Sequence, residues 1–395
     1  MVDISNIKTF AVIGAGTMGH EIAQVALMGG FEKVILNDLD KEILNSARIQ
    51  IQKNLVKLHE KDKLGYKNTP KNLMNRLITE IDLSKAVSQA NFVVEAIPEV
   101  MELKQELFSK LGELTPKETI LATNTSTMSI TNIASSSSKP DKVVGMHFFT
   151  PIVVLRLIEL IKGEKTSQKT FNISYTIGQK LPALKGKRYI AKIKKESPGF
   201  IVNRLTIGTN LYMNWLLDRA NKEGIPIEKI DNDVAKSPDL GPFAKWDYLG
   251  LDVVYDTMNY FAQVLSSDFT PGITLTNLIK EGNLGRKSGK GIYEWFEGKP
   301  KRQTNEKAGL FSLENYYAIQ LNEGCKLLKE EVVSGYKIID DAMLAGMDMP
   351  GPFTAGKKNY QNWSKLLIDL SEETGLNYFK PCDLMKSGKF INMRK

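Results

Sequence analysis

One histidine and one glutamate stand where they could form an acid–base pair. His147 follows the apolar run 143–146, and Glu159 lies inside a second apolar run, 155–161. Pro151 signals a turn between the runs, so we expect two strands of a hairpin with Glu159 facing His147. A buried carboxylate at one ring nitrogen would fix the tautomer and leave the other nitrogen to exchange a proton with a substrate. A structural hydrogen-bonded pair is the alternative.

A glycine-rich turn near the N-terminus has the spacing of a dinucleotide-binding turn. It follows the apolar run 9–13, precedes a helical apolar pattern and contains Gly14, Gly16 and Gly19. Glycine there permits a tight turn, close approach of a pyrophosphate to the backbone and close helix packing. Asp38, at the end of the next predicted strand, would bind a ribose diol and repel a 2′-phosphate, which favours NAD over NADP. A tight turn with a surface aspartate is the alternative.

Two polar side chains follow another predicted strand, at 120–123. Asn124 and Ser126 would lie at the carboxyl edge of a parallel sheet, where doubly wound folds bind ligands. Both residue types also suit the N-cap of a helix, and composition alone does not decide between these interpretations.

Alternating strand and helix patterns predict an α/β fold, followed by helical domains. The first part is expected to be a Rossmann-type, doubly wound domain with a mostly parallel sheet. We predict a nucleotide-binding domain at 1–190, a helical domain at 191–300 and a second, shortened helical copy at 301–395. The lysine-rich stretch 185–195 is the expected hinge.

The predicted second copy rests on two short repeats. Gly-Pro-Phe at 241–243 recurs at 351–353. In the same order, Lys-Ser-Gly-Lys at 287–290 recurs at 386–389. An internal duplication explains both matches, and coincidence is the alternative.

Composition narrows the class of protein. The 395 residues are 42% apolar and include only two cysteines and three histidines, which argues against a disulfide framework and a metal site. No apolar run approaches the roughly 20 residues of a transmembrane helix, and no signal-peptide pattern is present, so the expected compartment is the cytoplasm.

The chain has a net charge of +8, and lysines recur at positions 53, 57, 61, 63, 67 and 71. A solvated helix surface is one interpretation, and attraction of a polyanion is another. No nucleic-acid-binding module supports nucleic acid as the partner, whereas a phosphate-bearing small molecule fits the charge.

Taken together, the motifs resemble those of the NAD-dependent L-3-hydroxyacyl-CoA dehydrogenases, over about residues 5–295. The third block resembles the additional C-terminal copy of some longer members. The matching segments lie at 14–19, 124–126, 147–151, 157–159, 197–204, 241–243, 250–252 and 284–291.

The resemblance implies reversible NAD-dependent oxidation of (S)-3-hydroxyacyl-CoA to 3-ketoacyl-CoA in fatty acid β-oxidation, with 3-hydroxybutyryl-CoA as a short-chain candidate. It implies that His147 is the catalytic base and Glu159 its partner. Ser126 and Asn203 would bind the oxygen at C3. The implied cofactor residues are Gly14, Gly16, Thr17, Met18, Gly19, Asp38, Glu99, Lys104 and Asn124.

Two positions depart from the family pattern. Thr150 stands where members usually have asparagine, and its hydroxyl has a shorter reach than an amide. Glu21 stands where members commonly have a small residue. Its carboxylate suits the first turns of a helix but would weaken pyrophosphate binding if it turned inward.

Other classes stay open. A non-catalytic NAD-binding relative would be expected to lack one of the four implied catalytic residues, and all four are present. A dehydrogenase of the same fold acting on a sugar acid is harder to separate, because the pair suits any secondary alcohol. A tandem copy could cover the surface through which shorter members dimerise, so a monomer is expected as well as a homodimer.

Overall fold

The computed structural model describes residues 3–65, 68–235 and 240–395. Lys67, one of the recurring lysines, therefore lies outside the described residues. The chain forms two compact units. The first contains residues 1–202, 330–351 and 395, and the second contains residues 203–329 and 352–394.

The described part of the first unit is built on one sheet. Its eight strands are β1 (Thr9–Ile13), β2 (Lys33–Asn37), β3 (Leu77–Glu80), β4 (Phe92–Glu95), β5 (Ile120–Thr123), β6 (Val143–Phe148), β7 (Leu157–Ile161) and β8 (Tyr189–Ile193). Their order is β3-β2-β1-β4-β5-β6-β7-β8. Neighbouring strands are parallel except β6 and β7, which are antiparallel. The predicted Rossmann-type fold is confirmed.

Seven helices connect these strands within the described residues. They are α1 (Thr17–Met28), α2 (Lys41–Glu60), α3 (Pro70–Met74), α4 (Leu83–Val87), α5 (Met101–Leu114), α6 (Ile130–Ser135) and α7 (Gln168–Lys180).

The region after the sheet is helical, as predicted. Its helices are α8 (Val202–Glu223), α9 (Ile227–Val234), α10 (Pro242–Leu249), α11 (Leu251–Val264), α12 (Ile273–Lys280), α13 (Leu313–Lys329), α14 (Tyr336–Met347), α15 (Pro352–Thr374) and α16 (Asp383–Ser387). Two short strands, β9 (Trp295–Phe296) and β10 (Lys299–Pro300), pair in antiparallel fashion. Of these helices, α14 belongs to the first unit.

The central strands of the sheet are short, apolar and buried. All residues of β1, β4, β5 and β6 are buried, as expected when helices cover a parallel sheet. The Phe10 ring lies 5.0 Å from that of Phe31 and 5.4 Å from that of Phe92. These contacts fix β1, and with it the glycine turn that follows.

The edge of the sheet corrects one sequence-based expectation. Residues 189–193, within the predicted hinge, form β8 in parallel register with β7. Ile190, Ala191 and Ile193 are buried, so apolar residues at this edge determine the structure despite the surrounding lysines. Helix α14 packs beside this edge, where the Arg156 amide donates to the Ala345 carbonyl at 3.1 Å.

The second unit contains a buried cluster of charges. Glu323 on α13 is 2.9 Å from Arg204 Nε and 2.7 Å from Lys326 Nζ, and it also accepts a hydrogen bond from the Tyr378 hydroxyl. Burial alone would raise the pKa of Glu323, but the two cations hold that pKa below its ordinary value. This cluster joins α8 to α13.

Candidate active site

The β6–β7 pair brings His147 and Glu159 together. The antiparallel register sets the two residues directly opposite each other. His147 Nδ1 lies 2.7 Å from Glu159 Oε2. The glutamate is fully buried and the histidine is 5% exposed, so the contact is shielded from water. Such a pair can orient an imidazole and stabilise its protonated form.

The second oxygen of Glu159 is also bound. Oε1 accepts hydrogen bonds from the backbone amides of Ile201 and Val202 at 3.1 and 3.0 Å. These donors satisfy one carboxylate oxygen and leave the other directed at the imidazole. Glu159 therefore fixes both the histidine and the backbone of residues 201–202.

Two aromatic rings lie beside the imidazole. The His147 ring centroid is 4.4 Å from that of Phe149 and 5.9 Å from that of Phe200. Phe200 adopts a φ of 52°, in the left-handed region that non-glycine residues seldom occupy. The preceding Gly199 also has a positive φ, of 76°. This turn places an apolar ring against the imidazole.

The glycine turn fits the diphosphate of a dinucleotide. A Cβ at Gly14 would lie 2.6 Å from the Ala96 carbonyl oxygen, and one at Gly19 would lie 1.8 Å from the Gly14 carbonyl oxygen. A Cβ at Gly16 would meet no atom within 4 Å, so the backbone is open there. Gly16 is also the N-cap of α1 and supplies no side-chain acceptor to its first amides. Open amides at the start of this helix can bind an anion.

Asp38 lies beside this turn. Its Oδ2 accepts a hydrogen bond from the Ala15 amide at 2.8 Å, and its Oδ1 accepts one from the Asp40 amide at 3.1 Å. The half-buried carboxylate thus lies at the ends of both β1 and β2. This location suits recognition of a ribose diol.

Glu95, Lys104 and Glu99 form a second network at the end of β4. Lys104 Nζ lies 2.6 Å from Glu95 Oε1 and 3.2 Å from Glu99 Oε2. Glu95 and Lys104 are 0% and 1% exposed. Burial raises the pKa of Glu95. Burial would also raise the pKa of Glu99, but Lys104 and hydrogen bonds from Thr125 and Ser126 hold it below its ordinary value.

Glu99 in turn holds the loop after β5. Its Oε1 accepts hydrogen bonds from the Thr125 hydroxyl at 2.5 Å and the Ser126 amide at 2.9 Å. The Ser126 hydroxyl is 3.3 Å from the same oxygen. Three of the sequence-predicted site residues, Lys104, Glu99 and Ser126, therefore form one connected chain.

Asn124 joins that loop to the strand of the histidine. Its Oδ1 accepts a hydrogen bond from the Phe148 amide at 2.9 Å, next to His147 in β6. The parallel register pairs Thr123 with Gly145, so Ser126, after β5, and His147, near the end of β6, both lie toward the carboxyl ends of these strands. Asn203, by contrast, is the second residue of α8 and belongs to the second unit.

The two departures from the family pattern contact each other. Glu21 on α1 accepts hydrogen bonds from the Thr150 hydroxyl at 3.2 Å and from the Ile152 amide at 2.6 Å. Glu21 therefore links α1 to the segment that follows the strand of His147.

Several neighbours of the predicted residues had no sequence signal strong enough to identify them. Three of them lie within the motifs of the family resemblance, but no individual role was predicted for them: Thr125, Phe149 and Phe200. Glu95 had a signal, because an acidic residue inside the apolar run 92–96 marks a buried charge.

Two further features are absent from the part of the chain that the structure describes. Among residues 3–65, 68–235 and 240–395, no cluster of three or more histidine, cysteine, aspartate or glutamate side chains is arranged to hold a metal ion. No helix in this part of the chain is long and apolar enough to cross a membrane.

Comparisons with known proteins agree with this geometry. Residues 9–189 match the NAD-binding domain of 3-hydroxyacyl-CoA dehydrogenase, and residues 199–295 match its C-terminal domain. A probable 3-hydroxybutyryl-CoA dehydrogenase of Deinococcus radiodurans is 36% identical over 289 residues, covering 72% of this chain and 99% of the relative. The human mitochondrial hydroxyacyl-coenzyme A dehydrogenase is 34% identical over 296 residues, covering 73% and 91%.

A solved structure extends the likeness through the C-terminal region. The crystal structure of 3-hydroxybutyryl-CoA dehydrogenase from Escherichia coli K12 has a TM-score of 0.83 at 26% identity and covers 98% of this chain and 99% of its own. One family assignment follows from the matched domains, the relatives and the dinucleotide-binding fold. The chain belongs to the 3-hydroxyacyl-CoA dehydrogenase family and is an NAD-dependent oxidoreductase.

Proposed function

We propose that His147 exchanges the proton of the 3-hydroxyl group during NAD-dependent oxidation of (S)-3-hydroxyacyl-CoA, and that Glu159 orients it. The observation that carries this proposal is the 2.7 Å contact between His147 Nδ1 and Glu159 Oε2. Bound NAD supplies a hydride acceptor for C3. General acid–base catalysis of this kind contributes roughly 10²- to 10⁴-fold in rate.

The hydrogen bonds of Glu159 support one tautomer. Since Oε1 accepts two backbone amides, Oε2 is the oxygen that receives the Nδ1 proton of the imidazole. Nε2 then carries a lone pair and can accept the hydroxyl proton of the substrate. The carboxylate stabilises the imidazolium that forms. In the reverse direction, the same Nε2 returns the proton to the oxygen of the 3-keto group.

We propose that the side chains of Ser126 and Asn203 bind the oxygen at C3 of the substrate. Ser126 is supported by its backbone and side-chain contacts with Glu99, which restrict its position. Asn203 is supported by the match of residues 199–295 to the C-terminal domain of the family. Two hydrogen bonds to this oxygen would hold C3 in place as its proton leaves.

We assign the diphosphate of NAD to the turn at 14–19, including Thr17 and Met18, and its adenosine ribose to Asp38. The open backbone at Gly16 supports the first assignment. Glu99 and Asn124 are assigned to the nicotinamide half. Lys104 is buried between Glu95 and Glu99, so we propose that it acts on the cofactor through Glu99.

The substrate class is acyl-CoA, and we propose short chains such as 3-hydroxybutyryl-CoA. The names of the Deinococcus and Escherichia relatives support this preference. We propose the cytoplasm as the compartment, although the human relative is a mitochondrial protein. Fractionation of cells that express the chain would test the compartment.

We also propose that the tandem helical region, predicted at 191–300 and 301–395, permits a monomer. In the second unit, the contact of Arg204 with Glu323 joins the first of these segments to the second within one chain. Light scattering of dilute protein is expected to give the 44.2 kDa of one chain. A mass about twice that value would contradict the proposal.

Turnover with two classes of substrate tests the proposed reaction. We expect NADH oxidation with acetoacetyl-CoA to have a much higher kcat/KM than with unactivated keto acids. Equal values would favour the sugar-acid dehydrogenase. Binding of NADH without turnover of either class would favour a non-catalytic relative.

A further inference from the structure

Two segments of the second unit have the same backbone conformation. Ser267–Phe269 and Asn377–Phe379 are both single 3₁₀ turns that lead into a helix. Thr270 and Lys380 have φ/ψ values of −52°/127° and −52°/128°. The next helices begin after Gly272, at −69°/171°, and Cys382, at −71°/160°. Positions 266–272 and 376–382 are therefore structurally equivalent.

Each segment is held to a long helix by the same contact. Asn214 Oδ1 on α8 accepts a hydrogen bond from the Gly272 amide at 3.0 Å. Asn322 Oδ1 on α13 accepts one from the Cys382 amide at 2.8 Å. Hence α13 corresponds to α8, and Asn322 corresponds to Asn214.

The residues equivalent to the two cysteines are not cysteines. Three residues after the asparagine, α8 has Leu217 and α13 has Cys325. The N-cap residue is Gly272 in the first segment and Cys382 in the second. The same local fold is thus built once without sulfur, so the packing does not require the thiols.

The next residue of each long helix differs in charge. In the first segment, Asp218 accepts hydrogen bonds from the amides of Ile273 and Thr274. The equivalent residue on α13 is Lys326. Its cation lies where it favours a negative charge on the Cys382 sulfur.

The two cysteines lie on neighbouring segments of the second unit. The Cys382 amide is bound to Asn322, one helical turn before Cys325 on α13. Cys325 is buried and Cys382 is half-buried. A hydrogen bond from the Cys325 thiol lowers the pKa of Cys382 to about 6, whereas burial raises the pKa of Cys325. The more accessible sulfur is therefore the more acidic of the two.

We propose that Cys325 and Cys382 form a peroxide-sensitive dithiol that closes reversibly to a disulfide. The Cys382 thiolate attacks one oxygen of hydrogen peroxide, the O–O bond breaks, and hydroxide leaves and is protonated to water. This step oxidises the sulfur to a sulfenic acid and reduces the peroxide. Cys325 then loses its proton and attacks the Cys382 sulfur, and the S–O bond breaks to release water as the S–S bond forms.

The test is peroxide treatment of the reduced full-length chain at neutral pH. Intact mass is expected to fall by about 2 Da, with loss of both reactive thiols and recovery by dithiothreitol. Cys325→Ser is expected to stop at a sulfenic acid that dimedone traps on Cys382. Cys382→Ser is expected to consume peroxide at least about tenfold more slowly. Addition of oxygen to the wild type without loss of two hydrogens would overturn the proposal, as would an unchanged rate in Cys382→Ser.

The first segment supplies a matched control. The double variant Cys325→Leu with Cys382→Gly carries the residues found at the equivalent position of α8 and at the N-cap of α12. It is expected to keep the dehydrogenase kcat and to remain inert to peroxide. Alkylation of wild-type Cys382 by iodoacetamide gives an independent readout, since its rate is expected to reach half-maximum near pH 6. A half-maximum near the ordinary thiol pKa would contradict the proposal.

Discussion

Two buried carboxylates in one sheet hold basic side chains in different ways. Glu159 lies 2.7 Å from His147, and Glu95 lies 2.6 Å from Lys104. Both glutamates are fully buried. Lys104 directs its ammonium group at Glu95, Glu99 and the Ile97 carbonyl, which matches its three donors. An imidazole has a second nitrogen on its opposite edge and can lose its proton near neutral pH. The basic partner, more than the carboxylate, therefore decides whether a buried pair can transfer a proton or only fixes structure.

The largest expected effect is at His147. We predict that His147→Gln lowers kcat by about 10²- to 10⁴-fold, because the substrate proton has no acceptor. NAD binding, followed by fluorescence titration, is expected to stay nearly unchanged. Retention of more than about a tenth of wild-type kcat would contradict the assigned role.

The next effect is expected at Glu159. In Glu159→Gln, the amide oxygen is expected to accept the Ile201 and Val202 amides, so its NH₂ group faces His147 Nδ1. That arrangement forces the proton onto Nε2, the wrong tautomer for a base. We predict a fall in kcat of about 10²-fold, measured in steady state. An effect confined to KM would argue against the tautomer account.

The lysine network is expected to affect stability more than chemistry. We predict that Lys104→Met lowers the free energy of unfolding by about 3–5 kcal/mol, because Glu95 is left buried without a cation. Urea unfolding measures this loss. The fall in kcat of the folded variant is expected to be smaller than that of His147→Gln. A larger fall in kcat in Lys104→Met than in His147→Gln would contradict the structural role of the Lys104 pair.

The acid dependence of stability tests Glu99. Its folded-state pKa lies below the ordinary value, so its contribution is present above the unfolded-state pKa and is lost as pH falls through the folded-state pKa. We predict that the difference in Tm between wild type and Glu99→Gln is largest near neutral pH and disappears in acid. A difference that grows on acidification would give the wrong sign.

The smallest effect is expected at Glu21. We predict that Glu21→Ala lowers the free energy of unfolding by about 1 kcal/mol, since it removes the acceptor of Thr150 and Ile152. Thermal melting measures this change, with Glu21→Gln as the matched control that keeps an acceptor. We expect kcat to change by no more than a few-fold. A loss as large as that of His147→Gln would place Glu21 in the chemistry instead.

Patterns local in the sequence predicted much of this molecule. The turn with Gly14, Gly16 and Gly19 follows a short apolar strand and precedes a helix, so its geometry follows from neighbouring residues. The hairpin interpretation likewise set Glu159 opposite His147, because alternate residues of paired strands share a face. The catalytic roles of these residues remain predictions.

Contacts between distant segments could not be predicted from local sequence patterns. Glu21 and Thr150 lie 129 positions apart, and nothing in either local pattern indicates their hydrogen bond. The burial of Lys104 depends on Glu95 in β4, whereas its helix looks like an ordinary amphipathic surface helix. The lysine-rich sequence around β8 did not predict a strand, because the pairing of β8 with β7 depends on buried residues of another strand.

A double-mutant cycle in kcat, with His147→Gln, Glu159→Gln and the double variant, tests whether Glu159 acts through His147. If Glu159 acts through His147, the double variant is expected to match His147→Gln within about threefold. Losses that multiply in the double variant would show that the two residues act independently, and would contradict the proposal that Glu159 acts through His147.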